Sequence, residues 1–374
     1  MKFKKKIAIL GPINSRGGRE IEAAFIADAL MAKYEVSIFS TETVEKNNDL
    51  YIVNPSLVIY TKYKSFVDKI KAYLGIKLNY ANLQFRRLDR KKNKSLKKVI
   101  QQSDLIVIIA QLTSNYTKEI ILAAKENNKK VVFRTTGTIP KINLKDTYFS
   151  YLKHVSLFLN HSKENSKIFS NKSNLNYKVI DQCVFKEEAI INFQKTKTNP
   201  IRKFYCASRL DKNKDIITVI EAFNNLKAYK NLELHIVGDG PELEYLKSKA
   251  KNLNIKFYGH LDYDFMIKTI SQFDCLIIAS IEEAGPYNAL EAALLGIPII
   301  STKVGAMKER FVNNNRMWFN VKDSQMLSER IIEYSSYSNQ EIKQIQNHYI
   351  EIYNANHSKK TIAKAYLDTL SLYL

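Results

Sequence analysis

The chain has 374 residues, 45% hydrophobic and 25% charged, which is the composition of a folded protein long enough for two domains with separate cores. No apolar run approaches the ~18–20 residues of a membrane-spanning helix, and the three scattered cysteines (Cys183, Cys206, Cys275) show neither metal-site nor CxxC spacing. Charge is the outlier: 58 Lys+Arg against 37 Asp+Glu, a formal net +21, which directs attention to anionic partners.

The N-terminal MKFKKKIAILGP is basic and then apolar. Its apolar part is only a few residues long, with no small-residue cleavage site after it, so it is expected to be a first β-strand and not a secretory signal. A loop with Gly17 and Gly18 follows, then an apolar-faced helix over Ile21, Ala24, Phe25, Ala27 and Leu30. Further strands are predicted at 35–40 (EVSIFS), 50–53 (LYIV), 104–110 (DLIVIIA), 129–135 (KKVVFRT) and 155–160 (VSLFLN). Continuous apolar strands separated by helices imply a parallel sheet covered on both faces.

Between Tyr60 and Lys98 the chain carries thirteen Lys and Arg, opposed only by Asp68 and Asp89, with Phe66, Tyr73, Tyr80 and Phe85 interleaved. Such a segment reads as a solvated surface or as a patch for an anionic membrane, worth roughly 1 kcal/mol per basic residue near anionic lipid. No motif for DNA or RNA accompanies it, so nucleic acid is not the expected partner.

Residues 186–200 turn polar and lose periodicity, ending in KTKTNP, and are the expected linker between a domain at 1–185 and one at 201–349. The second alternating unit runs KFYCASRL (203–210), a helix through Ile216, Val219, Ile220 and Phe223, LELHIVGDGP (232–241), a helix near 242–250, and IKFYGHL (255–261). After a helix near 263–272 come DCLIIAS (274–280), a small-residue helix and PIISTKVGA (298–306). The tail is polar and helical, and residues 350–374 are expected to pack back on the first domain. The fold class is α/β, with two doubly wound parallel sheets.

Ligands of open parallel sheets bind beyond the carboxyl ends of the strands. In the second domain those ends read SRLDKNK, GDGP, YGHLD, EEAGPY and TKVGA. Gly285 and Pro286 stand where a helix starts, Pro being tolerated there for want of an N–H, and the positive end of that helix suits a diphosphate. Glu283 lies in the loop before the helix and Glu291 about two turns along it, in an Ala/Leu-rich stretch where a carboxylate needs a partner. Carboxylates on both sides of a phosphate site suit a ligand with hydroxyl-rich groups flanking a diphosphate, that is, a nucleotide sugar. Arg209 and Lys214 are the cations able to reach the diphosphate. GDGP reads as a plain strand–helix turn or as one where Gly238 allows close backbone approach, and Gly259 and His260 leave room for a base against the backbone, with the His260 side chain itself a bystander. There is no Walker A, HExxH, metal cluster or GxSxG, so neither a cofactor nor a metal is expected and the chemistry rests on positioning and electrostatics.

From Ala207 to Phe311 these motifs together resemble the retaining GT-B glycosyltransferases of family 4. The matching pieces are SRL with Lys214, IVGDGPELEYL, FYGHL, the E-x7-E pair Glu283 and Glu291, EAALLGIPIIST and the Gly305 turn; over the first half the resemblance is weaker, keeping the Gly17–Gly18 loop and FLNHSKENSKIF. The resemblance implies two Rossmann-like domains facing across a cleft and metal-independent transfer with retention of anomeric configuration. It assigns Arg209 and Lys214 to the donor diphosphate, Glu283 to the donor sugar hydroxyls, and the backbone of Gly285, Pro286, Tyr287 and Asn288 to the phosphates. Glu291 is assigned to the ribose, Gly238, His260 and Leu261 to the donor and its base, and Gly17 or Gly18 to the diphosphate.

Three departures stand out. Ala284–Gly285–Pro286 replaces the family's Gly-Phe-Gly, Asp215 replaces a glycine after the phosphate lysine, and AQLTSNYT lacks a sugar-contacting histidine, for which Gln111, Thr113 or His161 are the available substitutes. The expected activity is hexosyl transfer from a nucleotide sugar to a surface polysaccharide (lipopolysaccharide or capsule) or a lipid-linked glycan. The expected location is cytoplasmic, peripheral on the inner face of the membrane. A nucleotide-sugar epimerase and a non-catalytic subunit keeping the donor fold are the alternatives.

Overall fold

The computed structural model describes residues 4–14, 17–42, 44, 48–54, 56–61, 95–114, 116–137, 139, 149–170, 175–195, 198–251, 254–312 and 314–374. Most of the basic 60–98 segment lies outside them. Two compact units are present: one of Met1–Asn160, Asn165–Ile180 and Ala363–Leu374, the other of His161–Glu164 and Asp181–Ile362.

The first unit is built on a seven-stranded sheet of β1 (Lys6–Gly11), β2 (Glu35–Ser40), β3 (Ile59–Thr61), β4 (Leu105–Ala110), β5 (Lys130–Thr135), β6 (Leu157–Asn160) and β7 (Tyr177–Val179), ordered β3-β2-β1-β4-β5-β6-β7. Every pairing is parallel. All six residues of β4 are buried, as a central strand covered on both faces demands.

Residues 50–53, expected as a strand, form a short helix instead (Leu50–Val53). A four-residue apolar run does not distinguish the two states by periodicity. Here the residues before it decide: the Asn48 side chain accepts the Leu50 N–H at 2.8 Å, turning the chain into a helical start, and the turn packs against helix Gly18–Met31.

The last strand before the 3-10 turn at residues 150–154 carries an unexpected buried charge. Arg134 on β5 is fully buried; its Nε donates to Glu22 at 2.6 Å and its Nη1 to the Ile180 carbonyl at 2.5 Å. The Tyr366 hydroxyl donates to the same Glu22 oxygen at 3.1 Å, and the guanidinium lies 5.8 Å from the Tyr366 ring. Residues 363–374 are thereby fastened into the first unit.

The second unit has a six-stranded sheet of β8 (Lys203–Ala207), β9 (Glu233–Val237), β10 (Ile255–Gly259), β11 (Cys275–Ile278), β12 (Ile299–Thr302) and β13 (Trp318–Phe319), ordered β10-β9-β8-β11-β12-β13 and again all parallel. Helix Ile216–Asn225 packs on Ser324–Ser335; helix Tyr287–Leu295 packs on Asn339–Asn356 and Glu187–Ile191. The segment 186–200 thus contributes a helix whose Ile190 is buried in this unit's core. Helix Asn339–Asn356 opens with a reciprocal capping box between Ser338 and Glu341, and buries Tyr349 and Tyr353.

Removing Glu22 takes this carboxylate from a buried guanidinium, so Glu22→Ala is expected to cost about 3–5 kcal/mol in urea unfolding. The pair Glu22→Ala with Arg134→Met should cost less than the sum of the singles; additive losses would show that the two groups are not coupled.

Candidate active site

Strand order reverses in the second sheet between β8 and β11, which are direct neighbours (Cys275↔Phe204, Leu276↔Tyr205). The loops leaving their carboxyl ends must therefore run side by side. They are stitched together: the Ile281 N–H donates to the Asn213 carbonyl at 2.8 Å, and the Asn213 side chain donates to the Glu282 carbonyl at 2.8 Å. Asp211 holds the turn Lys212–Lys214 by accepting the Asn213 N–H at 3.1 Å.

This stitching brings Lys214 onto Glu283. The ammonium donates to Glu283 Oε1, which also accepts the Ser280 hydroxyl at 3.1 Å. Both side chains keep some solvent contact, 25% for Lys214 and 16% for Glu283. The pair engages a single carboxylate oxygen and one of three ammonium hydrogens, so each group retains capacity for a ligand. Arg209 stands apart from them: its side chain is 75% exposed, with Nε 4.0 Å from Asp211.

Glycines set the backbone around this pair. A Cβ on Gly238, at φ 132°, would fall 1.9 Å from the Ser208 carbonyl oxygen, so the turn after β9 can close against the loop after β8 only without a side chain. Gly305, at φ 51°, lies against the Glu283 and Ala284 carbonyls, where a Cβ would sit 2.4 Å from each oxygen. Asp215, standing where the resemblance leads one to expect glycine, adopts φ 51° and is buried, with its carboxylate accepting the Thr218 hydroxyl at 2.7 Å. Aspartate tolerates this left-handed conformation better than most residues. Burial raises its pKa.

Helix Tyr287–Leu295 follows directly, with Pro286 as its N-cap at ψ 121°. The Asn288 side chain donates to the Ala207 carbonyl at 2.9 Å, tying the helix start to the end of β8. Tyr287 faces inward, stacked on Phe185 at 5.0 Å between ring centres, and its hydroxyl accepts the Phe185 N–H at 2.8 Å. Only the backbone at 287 is therefore offered to a ligand. Sequence reasoning missed Arg310, which is buried and donates to the Pro286 carbonyl at 2.5 Å. Arg310 stands next to Lys308 and Glu309 in AMKERF, so nothing local set it apart from surface charges.

His260 is exposed just beyond β10 and Leu261 is half-buried against the core. Gly17 and Gly18 lie in the first unit: Gly17 is the N-cap of Gly18–Met31 at φ 140°, and its N–H donates to Asp49 at 2.8 Å. Gln111 and Thr113 are exposed after β4 in that same unit, while His161 is buried in the second unit close enough to Asp181 to lower its pKa. Among the described residues no group of three or more His, Cys, Asp or Glu is placed to hold a metal ion.

Glu291 sits on the buried side of its helix and is 3% exposed. Burial pushes its carboxyl up to about 7, opposed by the Tyr263 hydroxyl beside it. Its Oε1 has no hydrogen-bond partner among the described residues, and the hydroxyls of Tyr205, Tyr263, Tyr287 and Tyr353 are all near enough to be raised by its charge. In the unfolded chain the same group titrates near 4.5. Between these values the folded protein binds more protons than the unfolded one, so stability falls as pH rises through that window. Glu291→Gln removes this dependence: at about pH 8 it should melt higher than the parent, a gain on the order of 3 kcal/mol at roughly 1.4 kcal/mol per unit. At about pH 4 the two should melt alike; the same difference at both pH values would contradict the assignment.

Residues 187–350 match the family model for glycosyl transferases group 1. Over 125 residues, 32% of this chain and 30% of the relative, it is 26% identical to glycogen synthase from Mycobacterium tuberculosis. Over 126 residues, 34% and 31%, it is 28% identical to the putative teichuronic acid biosynthesis glycosyltransferase TuaC from Bacillus subtilis. These matches thus span about a third of each curated relative. The crystal structure of HepE from Anabaena in complex with UDP and glucose superposes with a TM-score of 0.71 at 16% identity, covering 98% of this chain and 99% of that one. Residues 187–350 of the second unit are thus similar to glycosyl transferases group 1, and the two all-parallel sheets share the GT-B fold of the Anabaena protein.

Proposed function

We propose that the protein is a retaining, metal-independent glycosyltransferase that moves a sugar from a nucleotide-sugar donor to a growing surface polysaccharide or a lipid-linked glycan. The observation that carries this reading is the Lys214–Glu283 contact at the meeting of the β8 and β11 loops, directly ahead of the helix capped by Pro286. A cation, a carboxylate and a helix N-terminus placed together match the three demands of a sugar diphosphate: charge on the leaving group, hydroxyls on the sugar, and N–H donors for phosphate oxygens. The UDP in the Anabaena structure and the teichuronic acid role of the Bacillus relative favour a nucleotide donor and a polysaccharide acceptor.

In this mechanism the bond between the anomeric carbon and the diphosphate oxygen breaks, and its electron pair stays on the diphosphate. Lys214 and the helix N-terminus stabilise that charge, with Arg209 swinging in from solvent. The acceptor hydroxyl forms the new bond on the face being vacated, and its proton passes to the departing phosphate oxygen. Glu283 orients the sugar hydroxyls, and Glu291 accepts from the ribose hydroxyls.

Glu283→Ala should reduce transfer by 100-fold or more (on the scale of one lost electrostatic contact) while melting within a few degrees of the parent. Near-normal turnover in that variant would remove Glu283 from the mechanism. Chelator should leave the rate unchanged, and activity lost with EDTA and restored by Mg²⁺ would refute a metal-free site. Incubation with a nucleotide sugar alone should give slow release of nucleoside diphosphate; a change of sugar configuration instead would indicate an epimerase. For the 60–98 segment, salt-sensitive binding to anionic vesicles is expected, and binding indifferent to lipid charge would return it to an ordinary surface.

A further inference from the structure

Among the described residues, Arg310 is the one buried Lys or Arg of the second unit, and the transfer mechanism leaves it unused. It comes from the short helix Met307–Arg310, immediately after the Gly305 turn that lies against Glu283 and Ala284. Its guanidinium is fully enclosed and makes four hydrogen bonds: Nε to Asp181 Oδ2 at 2.9 Å, Nη2 to Asp181 Oδ1 at 2.7 Å, Nη2 to Gln182 Oε1 at 3.1 Å and Nη1 to the Pro286 carbonyl at 2.5 Å. The bidentate Asp181 contact balances the buried charge and keeps the Asp181 carboxyl below its usual range despite burial.

The Pro286 carbonyl belongs to the same planar peptide as the Tyr287 N–H. In a trans peptide the two point in opposite directions, and no cis peptide is present among the described residues. Fixing the carbonyl on Arg310 therefore fixes the direction of the first N–H of the helix, out of its N-terminus. A cation on the carbonyl also polarises that peptide and makes its N–H a stronger donor. Gly285 permits the contact: a Cβ there would lie 2.6 Å from Arg310 Nη2 and 3.3 Å from Gln182 Oε1. The departure Ala284–Gly285–Pro286 thereby acquires a physical reason, because a bulkier residue at 285 would collide with this guanidinium.

We infer that Arg310 is a positioning residue for the diphosphate: it touches no substrate, but it orients the Pro286–Tyr287 peptide so that the helix N-terminus presents its first N–H to a phosphate oxygen. This rests on the donor-site reading above. The asymmetry it predicts is specific, since phosphate recognition depends on Arg310 and nucleoside recognition does not.

The test is calorimetric titration of the full chain with UDP, GDP and ADP, and with the matching nucleosides. Arg310→Met and Arg310→Lys should weaken binding of whichever diphosphate the parent takes by 10-fold or more, leaving the nucleoside within 2-fold. Gly285→Ala, which pushes the guanidinium aside, should give the same phosphate-selective loss and serves if the Arg310 variants do not fold. Equal losses for diphosphate and nucleoside, or no loss in a folded variant, would overturn the inference and leave the donor site standing. A parent protein that binds none of the three diphosphates would sink the donor-site reading, and the inference with it.

Discussion

The parallel pairing of β8 with β11 is the constraint on which the second unit's chemistry depends. It lies where strand order reverses, so two loops distant in sequence emerge as neighbours at one end of the sheet. Nothing local in either loop would bring Lys214 to Glu283; hydrogen bonds along the ladder do. Bonds through the Asn213 carbonyl and side-chain amide then fix the approach to within a side chain's reach. Gly238 and Gly305 finish the arrangement by removing the atoms that would otherwise hold neighbouring loops apart.

Two carboxylates eight positions apart in the chain are put to different uses by their surroundings. Glu283 is partly solvated and paired with a cation and a hydroxyl. Glu291 is enclosed among tyrosines, with no cation beside it among the described residues, and desolvation dominates. A polar ligand that offers hydroxyl donors to Glu291 would compensate that burial, consistent with a group retained for binding at some cost in stability. Arg310 supplies the opposite case, a buried charge balanced by Asp181 and held by four hydrogen bonds, whose effect is rigidity at the head of the helix.

Much of this was legible in the sequence. The apolar strands of both sheets are continuous because both faces are covered, and that pattern is visible without coordinates. The run from Glu283 through Pro286 to Glu291 is readable because a strand, a turn and a helix follow one another there locally. What escaped was determined at long range. Leu50–Val53 became helical through Asn48, not through its own composition. The Arg310–Asp181 pair spans more than a hundred residues, as does Arg134–Glu22, and no local period records such contacts. Arg134 left a trace as a charge in the apolar run VVFRT, whereas Arg310, among Lys308 and Glu309, left none. Exposure of Arg209, an expected partner of Lys214, was equally beyond local reading.

The most direct measurement is a crystal structure of the protein soaked with a hydrolysis-resistant nucleotide sugar. The expected result is a diphosphate seated at the N-terminus of helix Tyr287–Leu295, with Lys214 on a phosphate oxygen, Glu283 on a sugar hydroxyl and Glu291 on the ribose. A nucleotide bound elsewhere, with the Lys214–Glu283 contact undisturbed and no phosphate within hydrogen-bonding reach of that helix start, would contradict it.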